Sequence, residues 1–263
     1  MSFFKKTLAS FGIGSAKVDT VISQETLIPG EKLHATIHVY GGSTAQEIDN
    51  IDVKLCCQYV EEVEVERGDS DSRRKERQKR TYVLASWQLP YAFTIEPSSE
   101  REFEVELDMP WNTPVTIGDA KVWLDTGLDI KLAIDPSDKD VLTVRPDPVM
   151  DGIFKALEEQ GLRIRQVECE AAKGFELPFV QEFEFVPTTG PYHGVWRELE
   201  IVAYRDENSI KLWFEIDRQK KGLSGLLSSF LGTGELKRHL EIDSQVTPEQ
   251  AGEQVLNYLD QTT

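Results

Sequence analysis

The chain is poor in cysteine, in positive charge and in long apolar runs, and each shortage removes a class of protein. Three cysteines in 263 residues, two of them adjacent at Cys56 and Cys57, cannot build a disulfide framework. Neighbouring strand residues point to opposite faces, so one thiol of that pair is expected inside and the other nearer solvent, as suits a reducing cytoplasm. Lysine and arginine number 29 against 46 aspartates and glutamates, a formal charge of −17. Such a surface lacks the basic footprint that phosphates need, which argues against nucleic acid as a partner and disfavours non-specific adsorption to anionic lipid. No stretch approaches the ~18 apolar residues of a membrane-spanning helix. Residues 1–14 hold two lysines but no unbroken apolar segment and no small-residue cleavage site, so no secretory leader is expected there.

Catalytic patterns are equally scarce. There is no Gly-x-Ser-x-Gly elbow, no phosphate-cradling glycine loop and no kinase or metalloprotease signature. His34 and His38 lie four apart in a stretch that reads as a strand. That places them on one face but roughly 13 Å apart, too far to share an ion whose imidazole bonds are ~2.1 Å. Asp135, Ser137, Asp138 and Asp140 form an oxygen-rich stretch without the glycine and closing glutamate of a calcium loop, and read as a solvated turn. The sequence therefore assigns no catalytic, cofactor or metal residue, and a non-enzymatic protein is expected.

What the chain has in abundance is alternation. From Leu27 to Pro114 apolar and polar residues alternate in strand after strand, as in Leu33, Ala35, Ile37 and Val39, and again in Phe103, Val105 and Leu107. Period two marks strands with one face in a core and the other in water. Expected strands are 17–23, 32–40, 51–66, 78–89, 93–95, 101–108, 120–132 and 141–145, punctuated by Pro29-Gly30, Asp49-Asn50 and Asp135-Pro136. Arg145-Pro146-Asp147-Pro148 then stops the ladder and starts a helix, with Asp147 as N-cap and Pro148 at the first turn. Val149, Ile153 and Leu157 line one face of that helix, with Phe154 beside them and Gly161 at its end. Strand rhythm returns at Leu162 and Ile164 and recurs in Val180–Phe185, Val195–Ala203 and Ile210–Ile216. A closing helix is specified by Thr247, Pro248 and Gln250, a capping-box pattern. The fold class is mainly β, with two tandem sandwiches at 1–146 and 147–263, a short linking helix and a C-terminal helix.

The Ile28-Pro29-Gly30-Glu31 turn, followed by a long strand closed by Pro110 and Pro114, resembles the N-domain of arrestins. Several further segments resemble the bacterial sporulation-control family, stage-zero protein M. They are Ser2–Lys6, Ala16–Thr20, Thr126–Lys131 with Asp135-Pro136, and Leu177–Phe185. The resemblance runs from the first residue to about Gly232. It implies two arrestin-like domains and a regulatory, non-enzymatic role inside the cell.

Three features break the β rhythm and become the candidate sites. The run Arg73, Arg74, Lys75, Arg77, Lys79 and Arg80 is the one basic patch of an acidic chain, and reads as part of a long polar loop. It could dock on an acidic protein or on anionic headgroups, at ~1 kcal/mol per basic residue. Phe4, Leu8 and Phe11 form an apolar stripe at helical spacing, and so do Leu223, Leu226, Leu227, Phe230 and Leu231. Helices this short need something to pack on, whether the protein's own core, a partner or a second copy. The sequence thus points first to a scaffold acting through protein–protein contacts or self-association, and second to a peripheral membrane adaptor using the N-terminal stripe and the basic run.

Overall fold

The computed structural model describes residues 15–66, 73–131, 135–218 and 239–262. Its described residues are mainly β, with thirteen strands and two helices. The chain divides into two compact units, neither contiguous in sequence: 1–57, 82–113 and 121–144 form the first, and 58–81, 114–120 and 145–263 the second.

In the first unit β1 (Lys17–Ile22), β2 (Lys32–Tyr40) and β6 (Glu100–Asp108) form a three-stranded antiparallel sheet in the order β1-β2-β6. The first part of β3 (Gln46–Glu66) pairs with β5 (Phe93–Ile95), and β7 (Lys121–Ile130) pairs with β8 (Ser137–Leu142). The alternation seen in the sequence is the burial pattern here. Leu33, Ala35, Ile37 and Val39 are at most 3% exposed, and Ile51, Val53, Leu55, Val122, Leu124 and Leu128 at most 1%. The inner faces also meet through polar groups: Thr20 donates to Thr126 Oγ1 at 2.9 Å, and the Thr20 N–H donates to Asp138 at 2.8 Å. The Pro29-Gly30 turn closes with the Glu31 N–H donating to the Ile28 carbonyl at 3.1 Å. Gly30 has φ +84°, and a Cβ there would strike the Trp111 ring at 2.5 Å, so only glycine fits.

Several sequence expectations shift. β3 begins at Gln46, so Asp49-Asn50 is strand rather than turn. β8 spans Ser137–Leu142, not 141–145, and Asp138 is buried at 6% exposure rather than solvated, because the Thr20 amide satisfies its carboxylate. Cys56 and Cys57 are both buried, at 3% and 0%, so the outer face of β3 is covered at that point as well. The basic run belongs to β4 (Arg73–Leu89), which pairs with β3, instead of lying in a loop.

The second unit is built on an antiparallel meander of β9 (Leu162–Ala171), β10 (Phe179–Pro187), β11 (Trp196–Arg205), β12 (Ser209–Arg218) and β13 (His239–Asp243). Val60 of β3 lies parallel to Glu170 at the β9 edge. Gln181 anchors the 114–120 segment by exchanging two hydrogen bonds with the Val115 backbone, at 3.0 and 2.8 Å. One sheet face is covered by α1 (Pro148–Glu159) and α2 (Pro248–Thr262), with Ile153, Leu157, Phe183, Leu199, Ala251, Val255 and Leu259 in one apolar core.

The caps read from the sequence are in place. Asp147 accepts from the Val149 N–H at 2.9 Å, and Gln250 and Thr247 exchange bonds at 3.2 and 3.0 Å. Gly152 lets the helices touch, since a Cβ there would sit 2.2 Å from the Pro248 carbonyl. No helix among the described residues is long and apolar enough to cross a membrane.

Candidate functional site

The basic run sits on a strand because its charges are met. Lys75 pairs with Glu62 at 3.1 Å and Arg80 with Glu61 at 2.9 Å, both glutamates on β3. Arg77 reaches across to β9 and bonds Glu168 at 2.5 Å and Glu170 at 2.7 Å. Like charges in series oppose a strand only while nothing cancels them, and opposite-charge pairs between strands favour it. Lys79 makes no hydrogen bond or ion pair with another described residue and lines a cavity of about 190 Å³ with Gln58, Val60, Arg77, Glu168 and Cys169. That volume is below the ~300 Å³ at which small-molecule pockets begin. Burial pushes the Cys169 thiol up to about 12, so it is no nucleophile near neutral pH.

The sheet face away from the helices holds a denser arrangement. Alternation on β9 to β12 sends Val167, Phe183, Phe185, Leu199, Ile201, Leu212 and Phe214 into the helix-covered core. The residues between them point the other way, and many are acidic: Glu168 and Glu170, Glu182 and Glu184, Glu198 and Glu200, Glu215 and Asp217. Register puts like charges opposite one another, Glu168 beside Glu182, Glu184 beside Glu200, Glu200 beside Glu215.

Three arginines offset part of this row. Arg77 takes Glu168 and Glu170, Arg165 pairs with Glu184 and Glu198, and Arg197 reaches Asp217 at 3.4 Å. Burial raises three of the row's carboxyls. Burial, then the neighbouring Glu200, pushes the Glu182 carboxyl up to about 8, and its Oε2 is out of water with no hydrogen-bond partner. Burial and Glu200 also raise Glu215 to about 7. Burial, followed by hydrogen bonding to Glu168, raises Glu170 to about 7. Burial opposes the charge on Glu168, yet hydrogen bonds from Glu170 and Arg77 outweigh it and keep Glu168 below its ordinary value. The face is half-buried, acidic and only partly neutralised.

The first unit carries two further clusters. Burial, then the negative charge of Asp138, raises Asp140 to about 7, and its Oδ2 has no hydrogen-bond partner. On the outer face of β2 and β6, His38 Nδ1 lies 3.1 Å from Glu100 and 3.4 Å from Glu102. His34 is instead 3.7 Å from Glu106, where Lys32 competes at 3.4 Å. The two histidines do not converge on one point, and each meets its own carboxylates.

Of the residues singled out from the sequence, Lys75, Arg77, Lys79 and Arg80 are brought together on β4, and the backbone of Arg73 and Arg74 opens that strand. Phe4, Leu8, Phe11, Leu223, Leu226, Leu227 and Phe230 lie outside the described residues. Sequence reasoning missed the glutamate rows. Their signal is glutamate at every second position in Val167–Glu170 and Glu182–Phe185, which shows which side chains share a face but not which strands lie beside each other.

Fold and site together define a mainly β protein whose distinctive chemistry is charge laid out across strand faces. The model of the SpoOM protein family, Spo0M, matches residues 4–220, and the chain belongs to that family. It is 40% identical over 237 residues to the sporulation-control protein spo0M of Bacillus subtilis (strain 168), which spans 89% of this chain and 88% of that one. It is also similar to the crystal structure of Spo0M, sporulation control protein, from Bacillus subtilis. The TM-score is 0.78 at 35% identity, over 95% of this chain and all of the other.

Proposed function

We propose that this chain is a regulatory protein of sporulation-type control that acts by binding other proteins, and that the glutamate face of β9–β12 receives a basic segment of its partner. Family membership supports the regulatory role, through the name its Bacillus subtilis relative carries. The observation that carries the binding surface is Glu182. A carboxyl held protonated up to about 8, with an unpartnered oxygen and acidic neighbours, marks a place where added positive charge is favourable. The basic run, by contrast, has Lys75, Arg77 and Arg80 committed to glutamates, which removes much of the support for docking on anionic lipid.

The experiment is binding of a lysine- and arginine-rich peptide library to the full chain, set beside Glu200→Lys and Glu215→Lys variants and a Leu227→Asp variant, at low and high salt. Saturable binding that weakens with salt and is lost in the two charge reversals supports the reading. Binding untouched by them but abolished by Leu227→Asp moves the site to the Leu223–Leu231 stripe. Pelleting with anionic liposomes, without peptide binding, would replace the reading by the membrane one.

A further inference from the structure

The outer face of the β1-β2-β6 sheet holds a set of ligand atoms that owes nothing to the glutamate face of the second unit. Register places Asp19, His38 and Glu102 in one row across the three strands, and Tyr40 beside Glu100 in the next. His38 is the inward member, its side chain 18% exposed against 47% for Glu100 and 62% for Glu102. Its ring stacks on Tyr40, with centroids 6.1 Å apart and planes 9° from parallel, and this fixes the orientation in which Nδ1 faces β6. One oxygen from each carboxylate and the imidazole nitrogen all lie within 4.8 Å of one another.

The separations carry the argument. An ion bound tetrahedrally at 2.0–2.1 Å holds its ligand atoms about 3.3 Å apart. The two distances from Nδ1 to the glutamate oxygens are 3.1 and 3.4 Å. Among the described residues no lysine or arginine pairs with either carboxylate of this set, whereas at the sister histidine Lys32 already supplies the positive charge to Glu106. Asp19, directly opposite His38 on β1, adds a further negative group to the same row.

We infer that His38, Glu100 and Glu102 form a surface site for a borderline divalent ion, Zn²⁺, bound through Nδ1 and one oxygen of each glutamate, with the remaining position open to water or to a group from another molecule. One imidazole and two carboxylates suit Zn²⁺. Three ligands of which one is nitrogen do not suit Ca²⁺, which takes six to eight oxygens, nor Mg²⁺, which keeps its waters.

The test is isothermal titration of the full chain, free of any affinity tag, with Zn²⁺ at pH 7.5. One ion per chain at micromolar affinity is expected, weakened by about 10-fold or more in His38→Ala and in Glu102→Gln. His34→Ala should bind within 2-fold of the native chain, and equal Mg²⁺ or Ca²⁺ should not compete. Co²⁺ in place of Zn²⁺ should give the visible absorption of a low-coordinate site in the native chain and not in His38→Ala. All three positions are on the solvent face of the sheet, and thermal melting of the metal-free variants confirms that they fold. The absence of saturable binding, or equal loss in His34→Ala and His38→Ala, overturns the site and leaves His38 as an ordinary ion-pair partner of two glutamates.

Discussion

Glu182→Gln isolates the electrostatic strain of the second unit's acidic face. The native carboxyl keeps its proton up to about 8, while in the unfolded chain it ionises near 4.5. Between those values the folded state holds more protons than the unfolded one, so stability is complete below about 4.5 and falls as pH rises toward 8. Roughly three and a half pH units at ~1.36 kcal/mol each bound the effect near 5 kcal/mol. Water still reaches one side of the group, and Glu170 and Glu215 share the same field, so about half of that bound, ~2–3 kcal/mol, is the expected size. Glutamine keeps the shape but cannot ionise. It also leaves a polar group at the unsatisfied Oε2 position, with a cost that does not depend on pH. The signature is therefore the slope. Measured by urea unfolding at pH 5, 6, 7 and 8, the stability of the variant relative to the native chain should climb steadily by that amount. A difference constant to within ~0.5 kcal/mol over the range would refute the claim that Glu182 is held neutral by burial and its acidic neighbours.

Asp147→Ala should destabilise the second unit by ~3–5 kcal/mol in the same assay. It uncaps α1 and leaves the guanidinium of Arg205, 3.1 Å from Asp147 and 10% exposed, without its carboxylate. Arg77→Ala should lower stability at pH 7, with the difference from the native chain narrowing as pH falls below about 4.5. Glu168 is held below its ordinary value by Arg77 among other partners, and that contribution is lost once the carboxylate is protonated.

What was legible in the sequence is what depends on near neighbours. β2, β6 and β12 show their period of two openly, and the caps at Asp147 and Thr247 specify the starts of α1 and α2 to the residue. Errors fall where the deciding partner is far along the chain. The basic run from Arg73 reads as part of a loop because it follows the polar stretch Gly68-Asp69-Ser70-Asp71-Ser72, until Glu61, Glu62, Glu168 and Glu170 are seen to lie beside it. Asp138 and Asp140 read as turn residues because aspartate is common in turns, yet the Thr20 amide, 118 residues away, draws one of them into the core. His38 meets Glu100 across 62 residues, through a pairing of β2 with β6 that no local pattern encodes.

The formal charge of −17 says nothing of where the excess lies, and the structure distributes it into two settings with different chemistry. On β6 the comb of Glu100, Glu102, Glu104, Glu106 and Asp108 stands in water beside His34, His38 and Lys32. Its carboxylates are exposed, so binding a small ion there costs little in desolvation. On β9–β12 burial holds three carboxyls, Glu170, Glu182 and Glu215, up at about 7 to 8, so a cation that docks on them must displace protons. A bare ion loses its full hydration shell in such a place, whereas a lysine or arginine brings an apolar stem and needs only its head group paired. Under the two proposals made above, burial sorts the two acidic surfaces: the exposed comb suits an ion and the half-buried face a basic side chain on a partner.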